Sequence, residues 1–217
     1  MTDGPSQPAV ERWGAPLNTA TTAVLVMHGI GQGADDMRAL TRRVADHRAA
    51  YFAPISPSGS WYPGALTDDL DANRPELDDA LLAVEAALTK ITRSGFAPAR
   101  TVLLGFSQGA SVLAHHIVAS PALTYAGAVL LAGGYLGPAG TRPPVEGRWD
   151  GRPVLVSVAE ADPHVPMRRV EETADALWLR GADVELQVCA GDAHAIHDEQ
   201  VVATRQLLAR VRGDIAA

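Results

Sequence analysis

Apolar residues along the chain fall into two alternating rhythms. Short runs with almost no polar break, Ala23–Met27, Thr101–Leu104, Ala126–Ala132 and Pro153–Ala159, read as buried strands. Ala50–Ile55 and Val184–Cys189 are two more, and Val10–Trp13 reads as a weak edge strand. Between them the apolar positions recur every three to four residues. Leu77, Leu81, Val84, Leu88 and Ile91 mark a long amphipathic helix over 75–93. Further helices are expected over 35–49, from Ala110 onward, along Met167, Val170, Ala174 and Leu177 with Pro166 at the first turn, and along Val201, Leu208 and Val211. Strands that alternate with helices and are apolar throughout predict an α/β fold, a mostly parallel central sheet covered by helices on both faces.

The remaining stretches punctuate that pattern. Residues 1–20 are Pro/Gly-rich and polar and read as a flexible N-terminal tail leading into the edge strand, with one domain over 21–217. Two long loops without a regular period run over 56–74, carrying Trp61 and Tyr62, and over 133–152, carrying Trp149. Trp149 and its surroundings are left to pack on a neighbour or to close over a site. No internal repeat or low-complexity tract is present in the sequence.

Length and charge narrow the function classes. A chain of 217 residues suits a single domain that buries roughly 70% of its unfolded surface. A net charge of -7 without a Lys/Arg run offers nothing to neutralise phosphates, so nucleic acid is not an expected partner. No window approaches a membrane-spanning length of apolar residues. The first residues, MTDGPSQPAVERWG, lack the basic and apolar regions of a secretory signal, which makes the cytoplasm the default location. The lone Cys189 excludes an internal disulfide and reads as a small buried hydrophobe.

Candidate chemistry lies at the ends of the predicted strands, where open α/β sheets bind ligands. The strand at Thr101–Leu104 runs into Gly105-Phe106-Ser107-Gln108-Gly109 and then a helix. A serine in such a turn projects beyond the sheet, because glycines on either side lack the Cβ atoms that would clash. The five letters alone are a weak signal, and a serine that merely caps the helix is the plain alternative. The segments after two later strands decide between them. Pro153–Ala159 leads into Glu160-Ala161-Asp162-Pro163-His164, and Val184–Cys189 is succeeded by Gly191-Asp192-Ala193-His194. The order Ser107, Asp162, His194 is the nucleophile, acid, histidine order of the α/β-hydrolases. Each member is needed, since a hydroxyl is a poor nucleophile until a base takes its proton, and the imidazole needs an acid to hold one tautomer.

Other titratable residues have plainer readings. Glu160 sits too near the strand end and Asp192 too near the histidine to serve as the acid. His115 and His116 lie inside a helix, His47 reads as surface, and His197 opens the last helix. His194 and His197 with Asp192 and Asp198 have ligand-like spacing, but no second cluster supports a metal site. His28 ends a strand beside the site, where packing or hydrogen bonding is its plainer role, and His164 lies close to Asp162; both, with Gly29, are placed at the substrate pocket. The glycines of His28-Gly29-Ile30-Gly31 let backbone approach a reacting carbonyl, which makes the N–H groups of Ile30 and Gln108 the expected oxyanion hole.

From about Gly14 to Leu208 the chain resembles the phospholipase/carboxylesterase family of small α/β-hydrolases, which includes acyl-protein thioesterases. The resemblance rests on LVMHGIGQGADDM, SWYPG, VLLGFSQGA, LAGGYLG, ADPHVPMRRV and GDAHAIHDEQ in that order. It implies an α/β-hydrolase fold with a minimal lid, Ser107, Asp162 and His194 as the triad, and the Ile30 and Gln108 amides as oxyanion donors. The SWYPG loop looks more like the bacterial carboxylesterase branch, and Trp61 and Tyr62 would then wall the acyl or alcohol pocket. GIGQG and GDAH depart from the family's usual glycine loop and from its usual glycine before the histidine.

The expected activity is hydrolysis of small or short-chain carboxylic esters through an acyl-enzyme, with no metal or organic cofactor. An acyl thioesterase or lysophospholipase would use the same triad, and a non-catalytic binding protein on the same fold is the alternative of another class. The expected partner is a small-molecule ester or thioester, and a homodimer stays open.

Overall fold

The computed structural model describes residues 9–120 and 125–216, with backbone only for 214–216. Of the expected tail and edge strand over residues 1–20, residues 1–8 lie outside the described residues. The described chain runs β1 (Val10–Gly14), β2 (Thr22–Met27), α1 (Ala34–Val44), β3 (Ala49–Pro54), α2 (Glu76–Arg93), β4 (Thr101–Phe106), α3 (Gln108–Ala119), β5 (Gly127–Leu131), β6 (Pro153–Ala159), α4 (Met167–Leu179), β7 (Asp183–Cys189) and α5 (Asp198–Ala216). The strands form one seven-stranded sheet in the order β1-β3-β2-β4-β5-β6-β7. β1 pairs antiparallel with β3, and every other pairing is parallel.

Period-two alternation sends each strand's side chains to two cores. In β2, Ala23, Leu25 and Met27 join the core under α2, α3 and α4, built with Leu77, Ala80, Val84, Val112, Leu113, Val170 and Leu177. Val24 and Val26 face the other way, into a core made with Met37, Leu40 and Val44 of α1 and Val201, Leu208 and Val211 of α5. Each such side chain, fully buried, contributes about 1.5–3 kcal/mol, so the two apolar layers clamp the sheet.

Some elements differ from the sequence expectation. The first helix ends at Val44 rather than Ala49, because Ala45 adopts the left-handed conformation (φ 56°) and Ala49 already begins β3. β7 is not buried on both faces: as the outer strand it leaves Leu186 and Val188 41% and 48% exposed. Trp149 neither closes over a site nor offers a docking face. It is fully buried in the core, its ring 6.5 Å from that of Tyr125.

Candidate active site

β4 delivers Ser107 to the carboxyl edge of the sheet through a turn that only small neighbours permit. A Cβ on Gly105 would stand 2.6 Å from the backbone N and Cα of Ala110, and one on Gly109 would stand 2.6 Å from the His28 carbonyl oxygen. The two glycines thus let α3 pack directly on its own strand and on the end of β2. Ser107 itself sits at φ 53°, ψ -122°, a conformation that L-residues rarely adopt. It occupies the N-cap of α3, yet its hydroxyl makes no capping hydrogen bond. The plain alternative, a serine that caps the helix, is therefore not what the side chain does.

The hydroxyl instead meets His194. Ser107 Oγ lies 2.8 Å from His194 Nε2, and His194 Nδ1 lies 2.8 Å from Asp162 Oδ2. A carboxylate oxygen accepts, so Nδ1 carries the proton, and Nε2 of the neutral ring is left to accept from the hydroxyl. Asp162 is held by its own loop: the N–H groups of His164 and Val165 donate to Oδ1 at 2.9 and 3.0 Å. Its side chain is 1% exposed and that of His194 19%, so the acid is shielded while the imidazole edge stays accessible. The imidazole is further fixed by Phe106, whose ring centroid is 5.3 Å away, and by His164, edge-on at 4.9 Å.

The segment after β2 comes within contact of the serine, a Cβ on Gly29 lying 3.0 Å from Ser107 Cβ. Its conformation is set by His28. The Ser56 N–H donates to His28 Nε2 at 3.3 Å, so Nδ1 bears the hydrogen and donates to the Gly29 carbonyl at 2.8 Å. Burial pushes the His28 imidazole below its ordinary pKa, against the opposing pull of that Gly29 contact, which keeps the ring neutral and Nε2 free to accept. The Gly29 carbonyl belongs to the same peptide unit as the Ile30 N–H, and pinning one end orients the other. Gln32 adds to this, its Oε1 accepting from the Gly29 N–H at 2.9 Å. Among the described residues neither the Ile30 nor the Gln108 N–H has a protein acceptor. Ile30 is 60% exposed at the rim.

The side chains expected at the substrate pocket divide. His164 is exposed beside His194, and Gly29 abuts Ser107. His28, Trp61 and Tyr62 are 0%, 3% and 3% exposed, so they have no free face with which to wall an acyl chain. Trp61 does border a groove of about 590 Å³, but that groove lies between the loop after β3 and α2, with Ile55, Pro57, Ala80 and Leu82, and neither Ser107 nor His194 lines it. The physical reason is that the SWYPG loop is engaged in hydrogen bonds with the segments around Ser107, among them the Gln108 side-chain Nε2 donating to the Tyr62 carbonyl at 2.8 Å. Burial pushes the Tyr62 hydroxyl up to about 12, partly offset by a hydrogen bond with Ser111.

Sequence reasoning missed four supporting side chains: Phe106 against His194, Gln32 on Gly29, the amide of Gln108, and Ser111, whose hydroxyl reaches the Ser107 carbonyl at 3.3 Å. Phe106 and Gln108 flank the serine and were visible as neighbours. Nothing in the spacing said where their side chains point. Among the described residues no group of three or more His, Cys, Asp or Glu side chains is arranged to hold a metal ion. No helix there is long and apolar enough to cross a membrane.

Residues 10–211 match the phospholipase/carboxylesterase family. A search of curated proteins found no match. Among solved structures the chain is similar to a phospholipase/carboxylesterase from Dyadobacter fermentans at 28% identity and a TM-score of 0.85, covering 93% of this chain and 96% of that one. It is also similar to esterase PE8 (22% identity, TM-score 0.76, covering 95% and 100%) and to a carboxylesterase from Mesorhizobium loti (20%, 0.74, covering 96% and 97%). The last two likenesses speak for the fold, which is that of the α/β-hydrolases.

Proposed function

The chain belongs to the phospholipase/carboxylesterase family, and from that premise we propose that it is a serine carboxylic-ester hydrolase working through an acyl-enzyme. The observation that carries the reading is the unbroken row from Asp162 Oδ2 through both nitrogens of His194 to Ser107 Oγ, each contact 2.8 Å. In the first half-reaction Ser107 Oγ attacks the ester carbonyl while His194 Nε2 takes its proton. The carbonyl oxygen gains the negative charge, and the Ile30 and Gln108 N–H groups, which have no other acceptor among the described residues, donate to it. Collapse expels the alcohol, which leaves with the proton from Nε2. Water then enters, gives a proton to Nε2 and attacks the acyl carbon; the bond from that carbon to Oγ breaks, Nε2 returns its proton to Oγ, and the acid leaves with the serine restored. Asp162 holds the imidazolium at each stage.

We infer small or short-chain esters as substrates, because both long loops are packed into the body through Trp61, Tyr62, Leu66, Leu136 and Trp149, all buried. Hydrolysis of p-nitrophenyl esters should therefore peak at short acyl chains, and a maximum at C12 or longer would contradict this. Ser107→Ala should lower kcat by about 10⁴-fold or more with the fold intact. Undiminished turnover in that variant would refute the mechanism.

A further inference from the structure

Residues 56–62 touch both of the segments that carry the Ile30 and Gln108 N–H groups beside Ser107. On one side the Trp61 indole N–H donates to the His28 carbonyl at 2.8 Å, and the Gly31 N–H donates to the Gly59 carbonyl at 2.8 Å. On the other side the Trp61 backbone N–H donates to Gln108 Oε1 at 3.0 Å, while Gln108 Nε2 donates to the Tyr62 carbonyl at 2.8 Å. The ring closes at the serine, because Gly29 abuts Ser107 and Ser107 precedes Gln108. Trp61 and the Gln108 side chain are buried, so water does not compete for these bonds.

An oxyanion hole works only if both donors lie about 2.7–3.1 Å from one developing charge. Here the donors come from two separate segments, the loop after β2 and the first turn of α3. Sheet pairing between β2 and β4 ends at Met27 and Gly105, before either donor is reached. Beyond that point the hydrogen bonds of Trp61 and Gln108 are side-chain ties across the gap.

We propose that Trp61 and the side-chain amide of Gln108 are positioning residues that fix the spacing of the Ile30 and Gln108 N–H groups for the transition state, and not walls of the substrate pocket. The proposal rests on the serine-hydrolase reading above. Its signature is a loss that falls on kcat, since a misplaced donor weakens the tetrahedral state more than the bound ester.

The test uses Trp61→Phe, which keeps an aromatic ring and removes the indole N–H, and Gln108→Met, which removes both side-chain ties and keeps the backbone N–H. Wild type is first treated with a fluorophosphonate and mapped for label at Ser107. The folded variants, checked by circular dichroism, are then assayed with p-nitrophenyl butyrate and an aryl trifluoromethyl ketone, which adds to serine as a tetrahedral oxyanion. We expect kcat to fall about 10-fold to 100-fold with KM within about 3-fold, and the ketone inhibition constant to rise in parallel. A folded variant with wild-type kcat overturns the proposal, even if its melting temperature is lower. So does a change confined to KM, which marks a pocket wall. Should one variant fail to fold, the other decides. Absence of label and turnover in folded wild type would instead defeat the hydrolase reading, and the proposal with it, before any variant is compared.

Discussion

Ser107 combines a reactive position with a backbone conformation that its own Cβ disfavours. At φ 53°, ψ -122° a glycine would sit more comfortably, and the strain is held by packing of α3 on β4. Ser107→Gly and Ser107→Ala both delete the hydroxyl, but only the glycine relieves the backbone. Thermal denaturation should find Ser107→Gly more stable than Ser107→Ala by about 1 kcal/mol, with both inactive. Equal stability would mean that the turn stores no strain. The neighbouring glycines make the opposite prediction. An added methyl at Gly105 meets backbone atoms of Ala110 at 2.6 Å, which cannot swing aside as a flexible side chain would. Gly105→Ala should therefore cost about 2–3 kcal/mol in urea titrations and lower activity through a displaced elbow. A neutral effect would show that the strand and helix can part without loss.

Among the elements, α3 carries more than the serine. Its two histidines, read from the sequence as core or helix surface, are buried: His115 stacks on Tyr135, and His116 Nε2 is hydrogen-bonded with the Tyr125 hydroxyl at 2.7 Å. Burial, with His115 beside it, pushes His116 down to about 4. The Glu85 carboxylate 3.5 Å from Nδ1 pulls the other way, but it is half exposed and screened, so burial prevails and the contact is not an ion pair at neutral pH. The folded state thus resists a proton that the unfolded chain accepts near 6.5. Stability from this source is complete above that value and falls as pH drops from 6.5 towards 4, by on the order of 3 kcal/mol. Urea unfolding at pH 7.5, 5.5 and 4.5 should show a steeper loss for wild type than for His116→Gln. Parallel curves would contradict the assignment. Element type was legible because core strands and helices carry different apolar periods. Ends were less so. The expected strand Thr101–Leu104 extends to Phe106, since Gly105 and Phe106 still pair with Leu130 and Leu131 of β5 although the glycine reads as a turn.

Across the molecule, four strand ends converge on one point: β2 brings Gly29 and Ile30, β4 Ser107, β6 Asp162 and β7 His194. Sequence order and the rule that parallel sheets bind beyond their carboxyl edges were enough to nominate these residues, because each comes only a few positions after its strand. The ties that join them were not legible. The family resemblance implies that Trp61 and Tyr62 of the SWYPG loop wall the pocket, and nothing in the residues themselves says which way their side chains face. Only the fold shows that Trp61 turns its indole N–H inward to His28. Activation of Ser107, on which the whole mechanism depends, can be read by intact mass and peptide mapping after incubation with a fluorophosphonate, on wild type and on His194→Ala. Stoichiometric modification of Ser107 that disappears in the variant is the predicted result. A folded wild type that stays unlabelled, or a variant labelled as fast as wild type, would contradict it.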